Sequence, residues 1–80
     1  MDNVPGWNVI EGKLQRKFEF KDFAEAMRFV NKVAEISESV DHHPDILINY
    51  KRVTLTLWTH SANGLTEKDF DLAKKINLIK

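Results

Sequence analysis

Apolar and polar residues fall into four stretches, two with a period of two and two with the wider spacing of a helix. Trp7 to Phe20 reads as two strands around Glu11-Gly12. Trp7, Val9 and Glu11 alternate with Asn8 and Ile10; then Leu14, Phe18 and Phe20 share one face, with Gln15, Lys17 and Glu19 on the other. Gly12 supplies the permissive backbone of a hairpin turn. Ile46 to Tyr50 and Arg52 to Thr59 read as a second hairpin. Val53, Leu55 and Leu57 share a face, and Thr54, Thr56, Trp58 and His60 share the opposite one. The β-branched content of this stretch supports strand.

The helical stretches carry start signals. Asp22 is a good N-cap residue, and Glu25 completes a capping-box-like pattern. Phe23, Ala26, Met27, Val30 and Ala34 follow at helical spacing, flanked by Phe29, Val33 and Ile36. This helix is expected to fade near Glu38 to Val40, because Pro44 lies ahead. Thr66 caps a last helix with Asp69 at its third position, and Leu65 and Phe70 are placed for a hydrophobic staple. Phe70, Ala73, Ile76 and Ile79 are its expected buried stripe. Asp41-His42-His43-Pro44-Asp45 and Ser61-Ala62-Asn63-Gly64 are left as connections. The order β-β-α-β-β-α predicts an α+β fold, an antiparallel four-stranded sheet with two helices packed on one face, spanning 1–80 as a single domain. Its edge strands invite pairing with a second copy, so a homodimer is expected.

Composition narrows the function. Twelve basic residues balance twelve acidic ones, and this neutrality argues against a nucleic-acid partner. No apolar run approaches the roughly 20 residues of a membrane span. The opening Met1-Asp2-Asn3-Val4-Pro5-Gly6-Trp7 has neither the basic nor the apolar region of a signal peptide. The chain has no cysteine, which removes disulfides, Cys-ligated metals and Cys nucleophiles, and a cytoplasmic address is expected.

The candidate chemistry is acid–base. All three histidines lie at element ends: His42 and His43 leave the long helix, and His60 ends the fourth strand. An imidazole, with an unperturbed pKa of about 6.5, suits proton transfer near neutrality. Glu38, Asp41, Asp45 and Asp69 lie near them in sequence or topology, and a carboxylate can orient an imidazole. Trp7, Trp58 and Tyr50 offer rings that could stack on a flat heterocycle, with core packing preferred for Trp7. Plain exposed loop histidines are the bland alternative. A three-His zinc site is another, disfavoured by the His42-His43 adjacency. No nucleophile elbow or phosphate-binding glycine loop is present.

The run Glu38-x-x-x-His42-His43-Pro44, then Tyr50, Thr59-His60, Gly64-Leu65-Thr66 and Asp69, resembles the signature of the pterin-4a-carbinolamine dehydratases. Gly6-Trp7 and Phe20-Lys21-Asp22-Phe23 extend the resemblance over nearly the whole chain. It implies dehydration of 4a-hydroxytetrahydrobiopterin to quinonoid dihydrobiopterin with no metal and no other cofactor. It implies that His42, His43 and His60 are the catalytic histidines, that Asp41, Pro44, Thr59 and Ser61 border the pterin pocket with them, and that Glu38 and Asp69 are supporting acids. It also brings a homotetramer as the alternative to the dimer. The chain departs from the pattern at Trp58, where a small residue is typical, and at Ile46-Leu47, where an aromatic is usual. Only five residues precede Gly6, where members commonly carry a helix. The competing class is a non-catalytic pterin-binding or protein-interaction module.

Overall fold

The computed structural model describes residues 4–79; Met1-Asp2-Asn3, part of the opening read above, and Lys80 lie outside the described residues. The elements run β1 (Asn8–Ile10), β2 (Lys13–Glu19), α1 (Phe23–Val40), β3 (Asp45–Asn49), β4 (Arg52–Leu57) and α2 (Glu67–Asn77), with a 3₁₀ turn at His60–Ala62. The strands form one antiparallel sheet in the order β1-β2-β4-β3, so the expected α+β architecture is the observed one. Glu11 and Gly12, at φ +51° and +76°, make the two-residue turn between β1 and β2. Two successive positive φ values match the right-handed twist of the flanking strands.

β4 lies at the centre of the sheet and sets its two faces. Val53, Leu55 and Leu57 are fully buried against the helices. They pair across β2 with Phe18, Arg16 and Leu14. Lys17, Thr54 and Thr56 project to the other side. Phe18, Phe20 and Phe29 pack ring to ring at 4.6–6.3 Å where α1 meets β2. Trp7 is buried, meets Phe18 edge-on, and donates its Nε1–H to Asn77 Oδ1 at 2.8 Å, which makes it a packing residue.

Both helices are rotated from the stripes expected from sequence. The buried residues of α1 are Ala26, Phe29, Val30, Val33 and Ser37, whereas Phe23 is half exposed and Ala34 is exposed. Ser37 belongs to this face because its hydroxyl donates back to Val33 O at 2.7 Å and leaves no polar group unpaired. In α2 the buried set is Asp69, Leu72, Ala73 and Ile76, at i, i+3, i+4 and i+7, with Phe70 only partly covered. A charged first member hid this stripe from a reading of apolar spacing alone.

Two further expectations shift. β4 ends at Leu57, and His60 opens the 3₁₀ turn instead of continuing the strand. The chain leaves the sheet because Thr59 pairs with Gly64, its N–H donating to Gly64 O at 2.8 Å. Tyr50 sits at φ +55° in the two-residue β3–β4 turn, at the opposite end of β3 from His43, and is 67% exposed.

Candidate active site

The site begins where α1 ends. Asp41 takes φ +53°, a left-handed conformation usually filled by glycine. Its N–H donates to Glu38 O at 3.3 Å, and the next N–H, from His42, donates to Ser37 O at 3.1 Å. This Schellman arrangement satisfies the last carbonyls of the helix and turns the chain off its axis. It ties the backbone of His42 to the end of a rigid element. Pro44 then limits the segment before β3 begins at Asp45.

α2 brings the second component. Asp69 occupies its first turn, and Oδ2 accepts from the Thr66 N–H at 3.0 Å, the backward half of a capping box. The same oxygen accepts from the Thr59 hydroxyl at 2.8 Å. Thr59 has one hydroxyl hydrogen, so in its 2.7 Å contact with Thr66 Oγ1 the Thr66 hydroxyl donates. The other carboxylate oxygen, Oδ1, lies 2.6 Å from His42 Nε2. The Asp69 side chain is 0% exposed and that of His42 is 13% exposed. A carboxylate removed from water needs donors, and here both oxygens have them.

His43 makes a parallel arrangement at the surface. Its Nε2 lies 2.6 Å from Glu38 Oε2, one turn back on α1. Ionised carboxylates only accept hydrogen bonds, so both Nε2 atoms carry hydrogen. That leaves Nδ1 of each ring as the nitrogen free to take up or release a proton. Among the described residues, no carboxylate pairs with His60. Its ring lies against Trp58, tilted by 33°, with centroids 3.9 Å apart.

Asp41, His42, His43, Pro44, Thr59, His60 and Ser61 border one open hollow of about 460 Å³. The structure therefore brings together the three imidazoles and the four residues expected beside them. Glu38 and Asp69 stand behind the ring nitrogens. Asp45 and Lys68 complete the rim. Lys68 was missed as a candidate; its signal was its place beside Asp69 in the first turn of a helix aimed at the histidines. Tyr50 and Trp7 lie outside the hollow. Among the described residues, no group of three or more His, Cys, Asp or Glu side chains could hold a metal ion. A separate hollow of about 420 Å³, lined by Arg16, Phe18, Phe29, Asn77 and their neighbours, contains no histidine. Among the described residues, no helix is long and apolar enough to cross a membrane.

Comparison with known proteins matches this chain to a family. The family model described as Pterin 4 alpha carbinolamine dehydratase matches residues 1–79. A protein of Picosynechococcus, whose name as a pterin-4-alpha-carbinolamine dehydratase is itself provisional, is 55% identical over 91% of this chain and 79% of its own. One from Sulfolobus acidocaldarius, with the same provisional name, is 49% identical over 100% of this chain and 88% of its own. The crystal structure of a transcriptional coactivator/pterin dehydratase from Brucella melitensis superposes with a TM-score of 0.88 at 42% identity, covering 92% of this chain and 81% of that one. A pterin dehydratase-like RuBisCO assembly factor of the alpha-carboxysome shares the fold, with a TM-score of 0.72 at 22% identity, covering 89% and 82% of the two chains. With its full described length accounted for by that family model and by relatives at about half identity, the chain belongs to the pterin 4 alpha carbinolamine dehydratase family.

Proposed function

We propose that the protein dehydrates a 4a-hydroxytetrahydropterin, with 4a-hydroxytetrahydrobiopterin as the expected substrate, to the quinonoid dihydropterin and water. The observation that carries this reading is the shared hollow, bordered by His42 and His43 from the α1–β3 connection and by His60 from the 3₁₀ turn after β4, far apart along the chain. Family membership supports the reaction class. In the reaction a proton is delivered to the 4a oxygen, the C4a–O bond breaks with its electron pair leaving as water, and a ring nitrogen gives up a proton. One histidine acts as the acid and another as the base, and each transfer contributes about 10²–10⁴-fold. His42 and His43 enter with Nε2 held by a carboxylate, so their Nδ1 atoms are the working positions. Asp41 and Asp45 are acceptors for the donor-rich pyrimidine edge of a pterin, and Lys68 adds a cation at the rim. The working unit in this reading is a homodimer through the exposed edge strand β1 or β3, which light scattering checks.

The test mixes the protein with chemically generated 4a-hydroxytetrahydropterin and follows dehydration by ultraviolet absorbance. Acceleration is expected, with His42→Ala, His43→Ala and His60→Ala each lowering turnover at least about tenfold while the fold persists. Pterin binding without acceleration points instead to a carrier. Absence of any interaction with pterin removes the reading altogether.

A further inference from the structure

Two side chains next to His60, Lys13 and Trp58, have no part in the proton transfers described above. Leu14 pairs with Leu57 across the sheet, so the next rung sets Lys13 beside Trp58. The Lys13 Nζ stands 4.5 Å from the Trp58 ring centroid. Two residues along the chain, the His60 imidazole lies 3.9 Å from the same indole, its plane tilted by 33°. The Trp58 Nε1 is buried and, among the described residues, has no hydrogen-bond partner.

These observations converge on the orientation of one ring. His42 and His43 are each oriented by a carboxylate at 2.6 Å. His60 sits on a one-turn 3₁₀ segment, is exposed and, among the described residues, pairs with no carboxylate. A solvent-facing imidazole on such a turn has rotational freedom that a proton-transferring group must lose before reaction. The indole contact supplies the missing restraint. A buried indole N–H without a partner is unfavourable, and chains rarely keep one without a compensating role for the ring. The lysine contact holds the indole from its other neighbour in the sheet.

We propose that Trp58 is the positioning residue of His60, with Lys13 keeping the indole in place, so that the third imidazole is oriented by an aromatic face and not by a carboxylate. The proposal deepens the dehydratase reading and rests on it for its kinetic consequence. Its structural part is measurable without substrate. In proton–carbon spectra of the ligand-free, full-length protein, the His60 Cε1–H resonance is displaced upfield by the indole ring current. Trp58→Ala abolishes that displacement, Trp58→Phe keeps part of it, and Lys13→Met diminishes it. In the dehydration assay Trp58→Ala lowers kcat by about ten- to a hundredfold. KM stays within about twofold, because the pterin contacts remain. Trp58→Phe recovers most of the loss. Should Trp58→Ala fail to fold, Trp58→Phe and Lys13→Met carry the same graded comparison. A wild-type His60 resonance without displacement overturns the proposal, as does full turnover in Trp58→Ala. A displaced resonance in a protein without dehydratase activity upholds the placement of the ring and sinks the enzyme reading instead.

Discussion

Two histidine–carboxylate pairs of equal length sit in opposite surroundings. His42 meets Asp69 and His43 meets Glu38, both at 2.6 Å. The first pair is almost dry, with side chains 13% and 0% exposed; the second is wet, at 51% and 77%. Distance alone would rate them alike. Surroundings separate them, because a hydrogen-bonded pair in water competes with solvent and is entropically costly to hold, whereas a buried carboxylate is fixed by the donors it must have. Asp69 accepts from His42, Thr59 and Thr66 on three different segments. Glu38 and His43 are five residues apart around one helix end, and their contact ties no other element. The buried pair is part of the fold as well as of the candidate site, and the exposed pair belongs to the candidate site alone.

Breaking the buried pair is the most severe test of this contrast. Asp69→Ala strands three donors and opens a gap under the first turn of α2. It is expected to cost about 2–4 kcal/mol. Thermal unfolding reads this as a fall in Tm of about 4–8 °C per kcal/mol for a chain of this size. Asp69→Asn keeps the volume but exchanges an acceptor for a donor. It leaves much of the stability in place and lowers dehydration by about 10²–10⁴-fold, since the Nε2–H of His42 loses its acceptor or the ring changes tautomer. An Asp69→Ala protein as stable as wild type would show that the two pairs do not differ in kind.

Thr59→Val probes the same network more gently. Valine matches the shape of threonine, so the change isolates the hydroxyl that donates to Asp69 Oδ2 and accepts from Thr66. Loss of a buried hydrogen bond is expected to cost about 1–2 kcal/mol, with chemical denaturation as the measurement. Turnover falls less than in Asp69→Asn, because His42 Nε2 still has its acceptor.

The same contrast explains what could be read from the sequence. Element order, the β4 alternation of Val53, Leu55 and Leu57, and the caps at Asp22 and Thr66 were legible because each rests on local chemistry. The helix stripes were misread by a fraction of a turn where a polar residue belongs to the buried face. Ser37 hides in α1 by bonding its own backbone, and Asp69 hides in α2 by gathering donors from elsewhere. Apolar spacing cannot register either, since their burial depends on partners distant in the fold. Asp69 was still named from sequence, as a capping residue able to face the loops. The Trp58–His60 contact was partly legible, because the two were placed on one face of the fourth strand. The 3₁₀ turn was not, since it follows from the pairing of Thr59 with Gly64. Lys68 went unread because one lysine on a helix is ordinary until that helix is known to end at the histidines.

The smallest effect is expected at the exposed pair. Glu38→Gln keeps a side-chain oxygen that can accept from His43 Nε2, and both groups already face water. Stability should change by less than about 0.5 kcal/mol. With His43 protonated, a double-mutant cycle between Glu38 and His43 should give a coupling of about 0.2–1 kcal/mol, and it should shrink as salt is added. The corresponding cycle between Asp69 and His42 should give a larger coupling that salt barely alters, because water and ions do not reach the carboxylate. Activity separates the roles further. If His43 needs Glu38 only to favour one tautomer, Glu38→Gln retains that function through its amide oxygen and turnover falls only several-fold. Equal couplings in the two cycles, with equal responses to salt, would mean that burial is not what distinguishes the pairs and that the contact distance alone sets their strength.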